Sequence, residues 1–290
     1  MKPPTIPTLD IYLTGKCNYC CKYCYGENDS RGDMDLKTYE KALDFGHFIA
    51  AQTIELCGGE PLVCKDFEKC SSLAREQNFD LTLRTNGIFL DARIDFVAQN
   101  FKWVGISLDG LPEDNAEMRP SRKKISPEEQ FQKPIVAVKE LKKRNPKINI
   151  LLATLACKKN YSRLPDFAKF LIDEQIPLDK WKIYEFIIDK FRSLINRKLF
   201  EMTESEFQAV GEKILSVVGK KFEIHLQSAH TKRVSANCLI VSQNGDINLM
   251  GKYYGNVVAT PFDKIVNLLI EDNALEVISD NKLQTYLDKM

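Results

Sequence analysis

The sequence has little of several features that would assign a function at once. Its 290 residues include only three histidines and two tryptophans. Lys and Arg total 41 against 40 for Asp and Glu, which gives a formal net charge of +1. Because such a balance provides no long-range field, we expect neither a nucleic acid polymer nor a membrane surface as a partner. No stretch approaches the ~18 apolar residues of a membrane-spanning helix.

The N-terminal residues also lack the apolar run of a secretory signal peptide, so we expect a cytoplasmic protein. In a reducing compartment, nine cysteines, an odd number, indicate metal ligands and buried thiols rather than a disulfide framework. His47, His225 and His230 show no spacing typical of metal ligands, and we interpret them as structural or surface residues.

Four of the cysteines lie in one short segment, and three of them, Cys17, Cys21 and Cys24, have the spacing C-x3-C-x2-C. Thiolates are the ligands of zinc and of iron-sulfur clusters. A four-iron cluster held by three thiolates keeps one iron open for another ligand. A zinc site that also uses Cys20 is less favoured, because tetrahedral sites usually take their cysteine pairs from separate turns. A noncatalytic metal-binding module stays open as an alternative.

This segment, with the aromatic Tyr23 before the last cysteine, resembles the cluster loop of the radical S-adenosylmethionine (SAM) superfamily. The resemblance implies an enzyme with one [4Fe-4S] cluster and SAM as cofactors. Cys17, Cys21 and Cys24 would be its metal ligands and catalytic residues. It also implies an external one-electron reductant of the flavodoxin or ferredoxin type, and a 5′-deoxyadenosyl radical that removes hydrogen from a substrate.

A second motif, Gly58-Gly59-Glu60-Pro61, follows a predicted strand, Thr53–Cys57. By itself it predicts only a turn. At this distance after the cysteine segment it resembles the superfamily motif that binds the methionine part of SAM. The resemblance implies that the glycines permit close approach of the backbone and that Glu60 accepts hydrogen bonds from the SAM ammonium.

Polar residues end two further predicted strands. Asn86 follows the strand Asp80–Thr85, and Ser107 and Asp109 follow a strand that begins at Lys102. By resemblance to the superfamily, Ser107 and Asp109 contact the ribose of SAM, and Asn86 belongs to the same rim. An ordinary Asp-Gly turn is the alternative.

Strand and helix patterns alternate from about residue 8 to residue 188, which favours parallel strands joined by crossover helices. We predict an α/β fold, a partial (βα)6 TIM-like barrel of radical SAM type with a small C-terminal α+β extension. The predicted domains are 1–190 and 191–290.

The predicted extension contains a capping box, Thr203–Glu206, and a hairpin that turns at Asn244-Gly245. It resembles the SPASM or twitch extension of radical SAM enzymes, which binds auxiliary clusters through cysteines. Here Met250 occupies the position of the hairpin cysteine, and Cys238 is the only cysteine after residue 157. We therefore predict a degenerate extension and a single cluster.

Two substrate classes are compatible with the sequence. The resemblance of the extension favours a peptide or protein substrate. The alternative is a nucleotide or other small molecule, as in radical SAM enzymes resembling viperin. A basic run from Arg119 to Lys147 is either a solvated helix face or a local site for phosphate or an acidic peptide.

Overall fold

The computed structural model describes residues 6–24, 32–188, 191–228, 238–249 and 251–272. Strands and helices alternate along the first 185 residues, so the predicted α/β class is confirmed. The strands are β1 Thr8–Thr14, β2 Thr53–Gly58, β3 Asp80–Thr85, β4 Trp103–Ser107, β5 Asn149–Ala156, β6 Lys180–Glu185, β7 Glu223–Gln227, β8 Leu239–Val241, β9 Asp246–Leu249 and β10 Lys252–Asn256. The α-helices are α1 Leu36–Phe48, α2 Phe67–Glu76, α3 Ile94–Asn100, α4 Pro112–Met118, α5 Pro127–Arg144, α6 Leu164–Asp173, α7 Phe191–Ile195, α8 Arg197–Phe200, α9 Glu204–Val218 and α10 Phe262–Glu271.

Local capping residues determine where several helices begin. The Asp35 carboxylate accepts the Thr38 backbone N–H at 3.0 Å before α1. The Ser126 hydroxyl accepts the Glu129 N–H at 3.1 Å before α5, and Thr203 forms the predicted capping box of α9. Such caps satisfy N–H groups that have no partner inside the helix.

The chain folds into two compact units, the first of which comprises Met1–Lys16, Asn28–Leu83 and Ser235–Met290. In this unit the strand order is β10-β9-β8-β1-β2-β3. β1 pairs in parallel with both β2 and β8. The strands β8, β9 and β10 are antiparallel, with Gly245 at a positive φ of 86° in the predicted hairpin turn. The hairpin therefore extends the sheet of β1.

The second unit comprises Cys17–Glu27 and Arg84–Val234. Its strands β4, β5, β6 and β7 are neighbours in that order and are all parallel. On one face of these strands, apolar side chains such as Ile106, Leu152 and Ile183 are buried. The other face carries mainly half-buried side chains.

Within the described residues, no helix combines the length and the apolar character needed to cross a bilayer. The domain boundary near residue 190 stays a prediction.

Candidate functional site

The cysteine loop of the second unit is held along its backbone by the segment that ends α4. The Cys20 N–H donates to the Pro120 carbonyl at 2.8 Å, and the Lys22 N–H donates to the Met118 carbonyl at 3.2 Å. From the turn between α7 and α8, the Asn196 side chain donates to the Lys22 carbonyl at 2.8 Å. Because these bonds use backbone atoms, they fix the loop without engaging its thiols.

Asn86, predicted to line the site, lies in the interior of the second unit. Its amide nitrogen donates to the side-chain oxygen of Asn18 at 2.8 Å. Its own oxygen accepts the Ile88 N–H at 3.1 Å. Since Asn18 directly follows Cys17, this amide pair positions the first cysteine of the loop.

The four cysteines of the loop are half-buried and are not in disulfides. The Tyr19 N–H donates to Cys17 Sγ at 3.4 Å, and hydrogen bonds of this kind tune the potential of a cluster when one is bound. Burial raises the pKa of Cys21 to about 12, although the nearby Arg119 acts in the opposite direction. Without a metal the Cys21 thiol therefore stays protonated at neutral pH, and metal binding would displace that proton.

A buried triad of Tyr23, Asp109 and Arg119 lies beside this loop. The Tyr23 hydroxyl donates to Asp109 Oδ2. The Arg119 guanidinium lies 2.7 Å from the Tyr23 hydroxyl and 3.4 Å from the same Asp109 oxygen. Burial raises the pKa of Tyr23 well above its ordinary value, so the phenol stays protonated as a donor. Sequence reasoning placed Arg119 in the basic run and missed this role, because only the fold turns it inward.

Asp109 and Ser107, both predicted to contact SAM, have different surroundings. The second carboxylate oxygen of Asp109 accepts the Leu155 N–H at 2.8 Å. Its backbone carbonyl accepts the Asn160 amide at 2.7 Å. The Ser107 side chain is half-buried and makes no hydrogen bond to any described residue. Ser107 is thus the one of the two whose polar group is available to a ligand.

The Gly-Gly-Glu-Pro motif lies in the first unit, at the end of β2. Gly58 has a φ of +124°, and a β-carbon there would lie 2.6 Å from the Thr14 carbonyl oxygen. A β-carbon on Gly59 would overlap the Lys16 carbonyl. The two glycines therefore leave room for the backbone of Thr14 and Lys16. That they also leave room for SAM stays a prediction.

Glu60 and Pro61 complete the motif as a buried turn. Glu60 is 1% exposed, its N–H donates to the Lys16 carbonyl at 2.8 Å, and its carboxylate accepts the Leu62 N–H at 3.2 Å. Pro61 is the first residue of a 3-10 turn, Pro61–Val63. Lys16 is the residue before Cys17, so the motif fixes the point at which the chain enters the cysteine loop.

The donor set of the loop, three thiols at the C-x3-C-x2-C spacing, fits a [4Fe-4S] cluster. The Arg119 guanidinium, which acts electrostatically on Cys21, would supply positive charge to a cluster with anionic ligands.

The basic run is mostly a solvated helix face, apart from Arg119. On α5, Lys133 pairs with Glu129 at 2.8 Å and Arg144 with Glu140 at 2.6 Å. The helix continues through Pro134, which does not end it. Two residues of the sequence analysis, His230 and Met250, lie outside the described residues.

Comparison with known protein families gives a match to the family model of the Radical SAM superfamily over residues 11–171. That range contains the cysteine loop, the Gly-Gly-Glu-Pro motif and the Tyr23–Asp109–Arg119 triad, and it covers more than half of the chain.

Two curated relatives share about a third of their aligned residues with this chain. An S-adenosylmethionine-dependent nucleotide dehydratase of Selenomonas ruminantium is 31% identical over 107 residues, 36% of this chain and 39% of that protein. A pre-heme d1 synthase of Dinoroseobacter shibae is 32% identical over 176 residues, 59% of this chain and 41% of that protein. The chain thus spans about two-fifths of the length of these relatives.

A solved structure extends the likeness over nearly the whole chain. The protein anSMEcpe, with bound AdoMet and Cp18Cys peptide, superposes with a TM-score of 0.74, covering 97% of this chain and 87% of that one at 16% identity. At this identity the likeness shows the fold alone, and it confirms the predicted fold class.

Proposed function

Since the chain belongs to the radical SAM superfamily and is therefore an enzyme with a [4Fe-4S] cluster and SAM as cofactors, we propose that Cys17, Cys21 and Cys24 hold its cluster. When bound, the cluster and SAM together supply a 5′-deoxyadenosyl radical, which removes a hydrogen atom from the substrate. The single observation that carries the assignment is the cysteine loop, which is fixed through its backbone and contains three thiols at the C-x3-C-x2-C spacing. Cys20 lies within the loop and is assigned no ligand role.

The neighbouring residues have positioning roles in this proposal. Asn86 holds Asn18, and through it the first cysteine, while Asp109 and Arg119 hold Tyr23 next to the last cysteine. These fixed contacts keep the loop in one conformation, so that no reorganisation is needed when the cofactors bind.

The SAM contacts follow the same reasoning. Ser107 is the residue that we assign to the SAM ribose, because its hydroxyl makes no hydrogen bond to the described residues. Glu60 is assigned to the SAM ammonium because the Gly58–Pro61 segment resembles the superfamily motif and a carboxylate suits a cationic amine. Gly58, Gly59 and Pro61 give that carboxylate its position.

Two substrate classes have support. A peptide is supported by the likeness in fold to a protein solved with a peptide bound. A nucleotide is supported by a relative of higher identity whose name is nucleotide dehydratase. The electron for either reaction comes from an external donor, for which we propose a protein of the flavodoxin or ferredoxin type.

Single alanine variants of the loop cysteines test the cluster assignment. We expect Cys17→Ala, Cys21→Ala and Cys24→Ala each to lose most of the bound iron and to form no 5′-deoxyadenosine from SAM and dithionite. Metal binding at such a site depends on every ligand. Cys20→Ala is the matched control and should keep both the iron and the product. Equal loss of iron in the Cys20 variant would contradict the three-cysteine assignment.

A further inference from the structure

Helices α7 and α8 contact the cysteine loop within the second unit. The Arg192 guanidinium donates to the Cys21 carbonyl at 3.3 Å. At the end of α8, the Phe200 ring lies at 90° to the Tyr23 ring, with 6.5 Å between the ring centroids. An α-helix with its side chains is about 10 Å across. A protein bound to the outer side of these helices therefore comes within roughly 10 Å of the loop, a distance that electrons cross by tunnelling.

The outer side of the same helices exposes large apolar side chains. Ile195 is 82% exposed, and Leu194 and Leu199 are also exposed. In the part of the chain that the structure describes, nine large apolar side chains are exposed, and these three lie within six residues of one another. A single exposed apolar side chain needs no explanation, whereas a group of them indicates a surface that contacts another molecule.

The charge of this segment is positive. Residues 191–200 contain two arginines, one lysine and no acidic residue. Arg197 pairs with Glu201 at 2.8 Å. Lys198 is exposed and forms no ion pair with the described residues. The charge of Lys198 is therefore available to an acidic partner.

Lys158 adds a second charge of this kind. Its N–H donates to the Phe200 carbonyl at 3.0 Å, which places Lys158 at the end of α8. It is exposed and also forms no ion pair within the described ranges. One carboxylate that interacts with it electrostatically, Glu206, already accepts the Thr203 N–H at 2.7 Å. Lys158 and Lys198 thus add positive charge to the same region as the exposed apolar side chains.

We propose that this surface is the docking site of an acidic electron-transfer protein of the flavodoxin or ferredoxin type. It is called here the donor surface and is defined by Lys158, Leu194, Ile195, Lys198 and Leu199. The inference rests on the proposed function and locates its electron donor. One electron leaves the redox centre of the docked protein and reduces the cluster by one electron, and no atom is transferred. Electron-transfer contacts are small, below about 1,200 Å² in total, so a short segment is sufficient for one.

Charge favours this partner over a second copy of the chain. Opposite charges increase the rate at which two proteins associate. In a symmetric dimer the same surface of both subunits meets itself, so Lys158 and Lys198 of one copy would lie near the same lysines of the other. Such a juxtaposition of like charges is unfavourable. The helices of the donor surface also contact the cysteine loop, and an electron donor for the cluster has to bind near that loop.

The rate of 5′-deoxyadenosine formation from SAM by the anaerobically reconstituted protein tests the proposal. The reductants are a reduced flavodoxin and a reduced ferredoxin, both of acidic net charge, and dithionite, a small molecule that needs no docking surface. With the wild type, we expect at least one protein donor to support the reaction, at a rate that falls as the salt concentration rises. In Ile195→Glu and in Lys198→Glu, the apparent KM for that donor should rise about 10-fold. The rate with dithionite should stay unchanged.

Matched variants separate loss of docking from loss of the fold. Leu215→Glu and Lys213→Glu make the same changes at exposed positions of α9 in the same unit and should leave the KM for the donor unchanged. The iron content and the thermal unfolding midpoint of each variant show whether the protein is folded and loaded. Sedimentation velocity of the wild type and of Ile195→Glu shows whether the surface joins two copies of the chain.

Several results would overturn the inference. They are a reaction with dithionite but with neither protein donor, an unchanged donor KM in both Ile195→Glu and Lys198→Glu, an equal rise of that KM in the α9 variants, an equal loss of rate with dithionite, and a wild-type dimer that Ile195→Glu dissociates. In each case the proposed function stands, provided that the wild type forms 5′-deoxyadenosine with dithionite. A wild-type protein that holds no cluster would instead contradict the proposed function.

Discussion

Arg119 contacts two aromatic residues of the cysteine loop. Its side chain is only 12% exposed, it contacts the Tyr23 hydroxyl, and its guanidinium carbon lies 5.7 Å from the centre of the Tyr19 ring. The two tyrosines are residues of the loop itself. A buried positive charge at this place stabilises the more negative, reduced state of a bound cluster.

We therefore predict that Arg119→Met lowers the reduction potential of the cluster. The expected shift is on the order of 60 mV, which corresponds to about 1.4 kcal/mol for one electron. Arg119→Lys keeps the charge and should move the potential much less. A redox titration followed by electron paramagnetic resonance measures both variants.

The control for this experiment is Arg163→Met. Arg163 also pairs with an aspartate, Asp114, but its side chain is 50% exposed and it makes no hydrogen bond or ion pair with the described residues of the loop. Its loss should leave the potential unchanged. Identical potentials in Arg119→Met and the wild type would show that Arg119 only holds the loop together.

At the scale of elements, the ends of β1 and β2 are joined more tightly than two neighbouring strands require. The Gly59 N–H donates to the Thr14 carbonyl at 2.8 Å, and the backbone of Lys16 lies directly against Gly59. The cysteine loop starts from this junction. A change in the packing of the two strand ends therefore changes the position of Lys16, the residue before the loop.

We predict that Gly59→Ala lowers the free energy of unfolding by about 1–3 kcal/mol. The added β-carbon would overlap a backbone oxygen, which cannot rotate away as a side chain could. Urea unfolding measures the free energy. Gly32→Ala is the matched control, since a β-carbon there has no atom within 4 Å. It should change stability by less than about 0.5 kcal/mol. Similar stabilities of the two variants would mean that the junction relaxes freely.

The elements predicted correctly are those whose signals are local. The predicted capping box at Thr203 begins α9 through a bond to the residue three positions later, and such a bond can be predicted from spacing. The pairing of β1 with β8 and the inward turn of Arg119 depend on residues far apart in the chain. Neither leaves a periodic or spacing signal, so neither was predicted from sequence.

The residues of the candidate site also include some that local sequence signals predict and some that only the fold brings together. The cysteine spacing and the Gly-Gly-Glu-Pro motif were sufficient to predict the family, which the family match confirms. The Tyr23–Asp109–Arg119 triad could not be predicted, because only the fold brings its three residues together. Tyr23 and Arg119 are 96 residues apart in the sequence.

At the scale of the whole molecule, the number of cysteines limits the number of clusters that the protein can bind. Auxiliary clusters are usually held by four cysteines, and Cys238 is the only cysteine after residue 157. We predict about four irons and four sulfides per chain after anaerobic reconstitution. Combined alanine substitution of Cys17, Cys21 and Cys24 should remove nearly all of them. Substantial cluster absorbance in that variant would show an auxiliary centre.

The parallel pairing of β1 with β8 also has a consequence for synthesis of the protein. Leu9 pairs with Leu239, so one neighbouring strand of β1 is synthesised some 230 residues after it. At about 5–20 residues per second, that interval lasts roughly 10–45 s. For most of it, the cysteine loop that follows β1 has already been synthesised while one edge of that strand is uncovered. The nascent chain is thus most exposed to oxidation and to mispairing of that edge before its last fifth has been translated.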